Sequence, residues 1–482
     1  MKVLFATSEA HPLAKTGGLA DVSGALPAAL REIGVDARVL MPGYPAAMAK
    51  AGKLLEIFRI KLPEHGETAL LVGAFPDSGV PVYFIEHAGY YAREGLYQDN
   101  SGHDWPDNAM RFGLLSQFAA LLAGPKTPLD FRPDVLHCND WQTGLAPAYL
   151  HFESAAPTPT VFTVHNLSYQ GIFPPEELKQ LGLPQESFAI DGIEYYGNLS
   201  FLKAGLFYAS HLTTVSPTYA SEIQTETFGA GMHGLLAARS QDLTGILNGI
   251  DMREWNPATD PHLVAPYSAG NLAGKAAGKL ALQTELGLQV DPGTPLLGMV
   301  SRLTTQKGSD VVIEAVPQLL RLGVQLAVLG GGEAGLEIAW RRLADAHPGR
   351  IAAVIGYNEG LAHRIEAGAD VFLMPSRFEP CGLNQMYSQR YGTVPIVCRT
   401  GGLADSVTDC TPETIADGSA TGFVFHPPSA EALAGAAGRA IAHYRTPAAW
   451  RTMQRAAMAR DFSWTASARR YVAVYRAAMG MP

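Results

Sequence analysis

Cysteine is scarce in this chain. Its four residues, Cys138, Cys381, Cys398 and Cys410, form no C-x-x-C pair, which excludes a disulfide scaffold and a thiolate metal knuckle and agrees with a reducing compartment. Charge is thin as well, at 17% of residues with a net value of −9. That surplus argues against a general surface for nucleic acid or an anionic membrane, so any phosphate site must be a focused cationic pocket. Long apolar runs are missing too. The opening Met1-Lys2-Val3-Leu4-Phe5-Ala6-Thr7 reaches polar Ser8-Glu9 after four apolar residues, too short for a signal-peptide core, and no run approaches a membrane span. The expected location is the cytoplasm. His137 and His165 are conceivable metal ligands, but neither H-x-x-x-H nor D-x-D spacing occurs, so no metal and no cofactor are expected.

Glycine, by contrast, is abundant, with 50 residues against an average share of about 7%. The excess suits a fold with many strand-to-helix turns. Thr-Gly-Gly-Leu-Ala-Asp occurs twice, at Thr16–Asp21 after Lys15 and at Thr400–Asp405 after Arg399. Paired glycines let peptide N–H groups approach an anion, a following helix adds its positive end, and the preceding cation supplies full charge. Either copy alone reads as an ordinary turn. Two copies, each with a cation, point to two halves gripping one phosphorylated ligand.

At 482 residues the chain accommodates two large α/β domains. Lys2–Thr7 is strand-like, Val22–Ile33 helical, Gly34 a stop and Ala37–Met41 apolar again, which makes one βαβ unit. Pro27 conflicts with that helix unless the helix starts late. Strand-like runs follow at Val82–Ile85, Val135–His137, Thr160–Val164 and Leu212–Val215. Glu254–Pro261 lacks periodicity and reads as a hinge or linker. A second series has strands at Leu296–Val300, Gln325–Leu329, Ile351–Val354, Val371–Met374 and Val394–Val397. Such alternation predicts parallel sheets with helices on both faces. Near the end, Trp464, Ala468, Tyr471 and Tyr475 keep helical spacing and predict one buried face. The expected division is 1–248, a hinge at 249–261, 262–458, and a closing helix from 459 to 482.

Ligands of open α/β sheets bind beyond the carboxyl ends of strands. The polar residues there are Lys15, Asp140 with Trp141, and His165-Asn166 in the first half. The second half contributes Arg302 and Lys307 in Ser301–Gly308, then Tyr357, then Glu379-Pro380-Cys381-Gly382-Leu383. An Arg and a Lys in one loop can hold a pyrophosphate, although solvated surface charge fits equally. Glu379, between Phe378 and Pro380, can accept hydrogen bonds from sugar hydroxyls or merely close a turn. Gly330-Gly331-Gly332-Glu333 fits neither G-x-G-x-x-G nor the P-loop pattern and reads as a tight turn.

Lys15–Asp21, Asn248–Asp251, Ser301–Gly308, Glu379–Leu383 and Thr400–Asp405, in this order and separation, resemble the bacterial and plant glycogen/starch synthases. The resemblance runs from Met1 to Phe462-Ser463-Trp464 and includes Phe201–Gly205 and Val215–Tyr219. It implies an α/β chain of GT-B fold: two Rossmann-like domains facing across a cleft, the last helix crossing back to the first. It implies transfer of glucose from ADP-glucose to the non-reducing end of an α-1,4-glucan, with retention of configuration. Glu379, His165, Asp140, Arg302 and Lys307 are then the catalytic set. Lys15, Gly18, Asp21, Asn166, Asn248, Tyr357, Cys381, Gly382 and Leu383 bind substrate. Arg302 and Lys307 would neutralise the departing diphosphate in place of a metal, and Tyr357 would stack on the adenine. The expected partners are ADP-glucose and a glycogen or α-glucan acceptor, with neither nucleic acid nor membrane. Asn384, where the family commonly has Thr, and Met232-His233, where it commonly has an acid, depart from the pattern. A UDP-glucose-dependent transferase of the same fold and a catalytically silent glucan-binding protein are the competing readings.

Overall fold

The structure, a computed structural model, describes residues 1–481. The chain divides into two compact units: Met1–Gly249 with the final segment from Trp464, and Ile250–Ser463.

The first unit is built on a nine-stranded sheet. Its spatial order is Leu243–Gly245, His211–Thr214, Thr160–Val164, Val135–Asn139, Lys2–Ala6, Asp36–Pro42, Pro81–Glu86, Gly66–Ala74 and Leu55–Leu62. The central strands pair in parallel and are buried on both faces, as the near-continuous apolar runs of Lys2–Ala6 and Thr160–Val164 require. The sheet is not wholly parallel. Gly66–Ala74 runs antiparallel to both its neighbours, forming an edge hairpin that the expectation of alternating strands and helices overlooked. The edge strand Leu55–Leu62 leaves most of its residues open and carries Glu56, Arg59 and Lys61. Charges along an open edge discourage pairing with another chain.

The first helix begins earlier than its periodicity suggests. It spans Gly18–Glu32, so Pro27 lies well inside it, and a late start does not explain the residue. The ring removes one intrahelical donor, the N–H that would reach the Ser23 carbonyl. The close of the chain forms the helix Trp464–Ala478. Its Tyr471 and Tyr475 are fully buried, and the Tyr475 hydroxyl bonds His137 Nδ1 at 2.8 Å. Thr163 Oγ1 takes the other ring nitrogen, so His137 is a satisfied core residue.

The second unit holds a six-stranded parallel sheet in the order Ile351–Ile355, Gln325–Gly330, Leu296–Val300, Val371–Met374, Val394–Cys398 and Phe423–Phe425. Helix Ser309–Arg321 packs Val311, Val312, Ala315, Val316 and Leu319 against it. Glu254–Pro261 is anchored in this unit by Trp255 and Asp260. Trp255 lies stacked between His363 and Tyr387 with ring centroids 3.9 and 3.7 Å away, and the buried Asp260 accepts from Tyr391.

Candidate functional site

The polar residues gather beyond the carboxyl ends of the strands of each sheet. In the first unit Lys2–Ala6 gives way to a loop that reaches Lys15 before the helix starts, so Lys15 is not directly at the strand end. Glu9, which sequence reasoning missed, organises this loop. Its Oε2 accepts from the Thr16 N–H at 2.5 Å, the Thr16 hydroxyl at 2.8 Å and the Gly17 N–H at 3.4 Å. Burial raises its pKa, and the bonds from Thr16 and Gly17 pull the other way. The only sequence signal for Glu9 was an acid three residues beyond a buried strand. Lys15 Nζ, half-exposed, sits 2.6 Å from Asp21 Oδ1. A Cβ on Gly18 would meet nothing within 4 Å. The backbone is therefore open to a ligand at Gly18.

Asp140 follows strand Val135–Asn139 with a positive φ of 53°, a backbone cost of about 1–3 kcal/mol for a non-glycine residue. The turn aims its carboxylate at the backbone N–H of His165, 2.7 Å away, and Asn166 donates a second backbone bond. Burial nevertheless pushes the Asp140 pKa up to about 7, and the carboxylate of Glu9 adds to the rise. His165 Nε2 pairs with Asn139 Oδ1 at 3.0 Å. Burial lowers the His165 pKa to about 3, so the ring is neutral at ordinary pH. Asn166 folds its side chain onto the Ser168 N–H. Asn248 keeps a buried Oδ1 without a hydrogen-bond partner.

In the second unit, Glu379 is the centre of a local assembly. It is 5% exposed, and its Oε2 takes Lys307 Nζ at 2.5 Å and the Ser376 hydroxyl at 3.1 Å. Lys307 and Glu379 are 72 residues apart, so neither local sequence announces the pair. The loops that carry them are laced together. Arg377 holds Asp310 through two 2.7 Å bonds and the Thr305 carbonyl at 2.6 Å, while Gln306 donates to the Phe378 carbonyl. Gly308, with φ 71°, lies so close to Pro375 that a Cβ would come 2.2 Å from its carbonyl oxygen. Arg302 is exposed and reaches Gln306 at 3.4 Å. Tyr357 is 87% exposed. Cys381 is buried, Gly382 has a positive φ of 70°, and Leu383 caps the helix Asn384–Arg390. Asn384 turns its amide to the Val300 carbonyl at 2.9 Å.

The two hexapeptides differ in use. Gly401 and Gly402 are buried, and added Cβ atoms would lie 2.0 Å from the Glu379 carbonyl oxygen and 2.1 Å from that of Cys381. The Gly402 N–H donates to the carbonyls of Glu379 and Pro380. The second copy therefore braces the Glu379–Cys381 loop from behind, whereas the first leaves Gly18 open. Gly330 and Gly332 are likewise packing glycines, pressed against Ser301 and Leu303.

Comparison with known proteins places this geometry. Residues 2–238 match the family model described as starch synthase catalytic domain, and residues 287–456 match glycosyl transferases group 1. The glycogen synthase of Nitrosomonas eutropha is 54% identical over 480 residues, covering 98% of this chain and 96% of that one. The glycogen synthase of Aromatoleum aromaticum is 56% identical over 478 residues, covering 98% and 96%. The catalytic domain of starch synthase IV from Arabidopsis thaliana, solved bound to ADP and acarbose, superposes with a TM-score of 0.85 at 33% identity and 99% coverage of both chains. Sucrose-phosphate synthase from Thermosynechococcus elongatus, at 18% identity and a TM-score of 0.57, shares the fold alone. The chain belongs to the glycogen/starch synthase family of GT-B glycosyltransferases.

Proposed function

We propose that this chain transfers glucose from ADP-glucose to the non-reducing end of an α-1,4-glucan, with retention of configuration at the anomeric carbon. One observation carries the reading: the buried Glu379, held by Lys307 and Ser376, in a chain similar over nearly its whole length to glycogen synthases. Glycosidic cleavage leaves an anionic diphosphate and an oxocarbenium-like sugar, both best stabilised by charges aimed in advance. Lys307 and Arg302 neutralise the diphosphate. Glu379 accepts hydrogen bonds from sugar hydroxyls, and Cys381, Gly382 and Leu383 line the sugar and phosphate pocket. The exposed ring of Tyr357 stacks on the nucleotide base. Lys15, with Gly18 behind it, contacts the donor phosphates, and Asp21 holds the Lys15 ammonium for that task. Asp140 and the neutral His165 face the sugar. A carboxyl with a pKa of about 7 ionises more readily as positive charge grows beside it, so its stabilisation is strongest in the transition state.

No helix among the described residues is long and apolar enough to cross a membrane, and cytoplasmic action on a soluble glucan fits the reading. The test is release of nucleoside diphosphate from ADP-glucose and from UDP-glucose, each with glycogen and a chelator. Acceptor-dependent ADP release with chain growth is the expected result. UDP preference reassigns the donor, and no turnover with either overturns the enzymatic reading.

A further inference from the structure

A second cluster of chemistry-bearing side chains lies in the second unit, among residues given no part in glucosyl transfer. Glu359 and His363 stand one helical turn apart on Glu359–Gly368 and project from the same face. Glu254 reaches them from the stretch that opens the unit, and one ligand atom from each of the three residues lies within 4.8 Å of the other two. Both carboxylates are exposed, and exposed acids alone would carry no argument. The imidazole does. His363 is 2% exposed, and its Nδ1–H donates to Asp260 Oδ2 at 2.7 Å. Asp260 is itself held by the Tyr391 hydroxyl at 2.5 Å and by the His262 N–H at 2.8 Å. With a carboxylate as acceptor the proton sits on Nδ1, and in the neutral ring the lone pair is then on Nε2, which is buried and has no hydrogen-bond partner. Trp255, stacked on the His363 ring at 3.9 Å, holds the ring plane.

A carboxylate behind an imidazole that clusters with two further carboxylates is the supporting arrangement found around bound metal ions, where the outer acid sets tautomer and basicity. We propose that Glu254, Glu359 and His363 bind one divalent cation of the zinc class through His363 Nε2 and one oxygen of each carboxylate. The nitrogen donor selects Zn²⁺, Co²⁺ or Ni²⁺ over Mg²⁺ and Ca²⁺, and two negative charges match the ion. Tetrahedral ligation requires donor atoms about 3.3 Å apart, a closure that long, exposed glutamate side chains can supply. The bound ion ties the chain around Glu254 to the helix that starts at Glu359, with a fourth position left to water.

The test uses the full, chelator-stripped protein. Titration with Zn²⁺ by calorimetry is expected to show one saturable site, and Co²⁺ or Ni²⁺ is expected to quench Trp255 fluorescence because His363 lies against that ring. Glu359→Gln, at an exposed position, should fold normally and weaken binding about 10-fold or more; Glu254→Gln should do the same, and Trp255→Phe should remove the quenching. Absence of Zn²⁺ binding overturns the assignment. Binding that both glutamine variants leave unchanged overturns it as well, as does quenching that survives Trp255→Phe.

Discussion

At the scale of single residues, the chemistry rests on charges whose environments differ sharply. Lys307 holds a carboxylate that is nearly buried. Removing the amine takes away the phosphate contact proposed above and leaves Glu379 with the Ser376 hydroxyl bond. Lys307→Ala is expected to lower kcat by about 10²–10³ and stability by about 1–3 kcal/mol. Adding Glu379→Gln should restore most of the stability and none of the rate, a separation that unfolding and turnover measurements on the two variants will read. Asp140 and His165 oppose one another in pH dependence. Asp140 has its folded pKa raised from 3.8 to about 7, so its stabilisation is complete below the unfolded value and is lost as pH rises towards 7. His165, lowered from 6.5 to about 3, contributes above 6.5 and loses that contribution as pH falls. Between these limits the two slopes cancel. Asp140→Asn removes the descending one, so stability should climb with pH about 1.4 kcal/mol per unit more steeply than in the wild type, from roughly pH 4 to 6.5. Urea midpoints taken across that range check it.

At the scale of elements, identical local sequences serve different ends because their neighbours differ. Gly18 has open space where a Cβ would go, while Gly402 is pressed on the Cys381 backbone. Gly18→Ala should leave stability within about 0.5 kcal/mol yet weaken donor binding. Gly402→Ala should displace the Glu379–Cys381 loop and lower both thermal stability and kcat. A KM effect without loss of stability in Gly402→Ala would contradict the bracing role. The repeat and its cations were legible as sequence, but which copy stayed open was not, since that depends on a loop some 20 residues upstream that folds back onto it. Most buried strands were legible too, because apolar runs bounded by glycine have few other uses. The antiparallel edge hairpin was not: its half-exposed residues mix charges with apolar groups and lack the signature of a core strand.

At the scale of the whole molecule, the closing helix belongs to the sheet built at the start of the chain. Tyr475 meets His137 across 338 residues of sequence, and its ring is fully buried. Tyr475→Ala should cost about 3–5 kcal/mol and lower the unfolding temperature of the first unit only, leaving the transition of Ile250–Ser463 in place by differential scanning calorimetry. The helical spacing of Trp464, Ala468, Tyr471 and Tyr475 announced a buried face without naming its partner. By itself the sequence determined the alternation of strands and helices, the polar residues at strand ends, and membership of a family whose motifs are strung along nearly all of it. These are local properties, written in periodicity and in short fixed spacings. Only the tertiary structure decided that Glu9 cradles the Lys15 loop, that Lys307 closes on Glu379, and that Glu254 reaches His363. The last two join segments far apart in sequence that packing of the core brings together, and no local pattern encodes which distant charge will lie beside which.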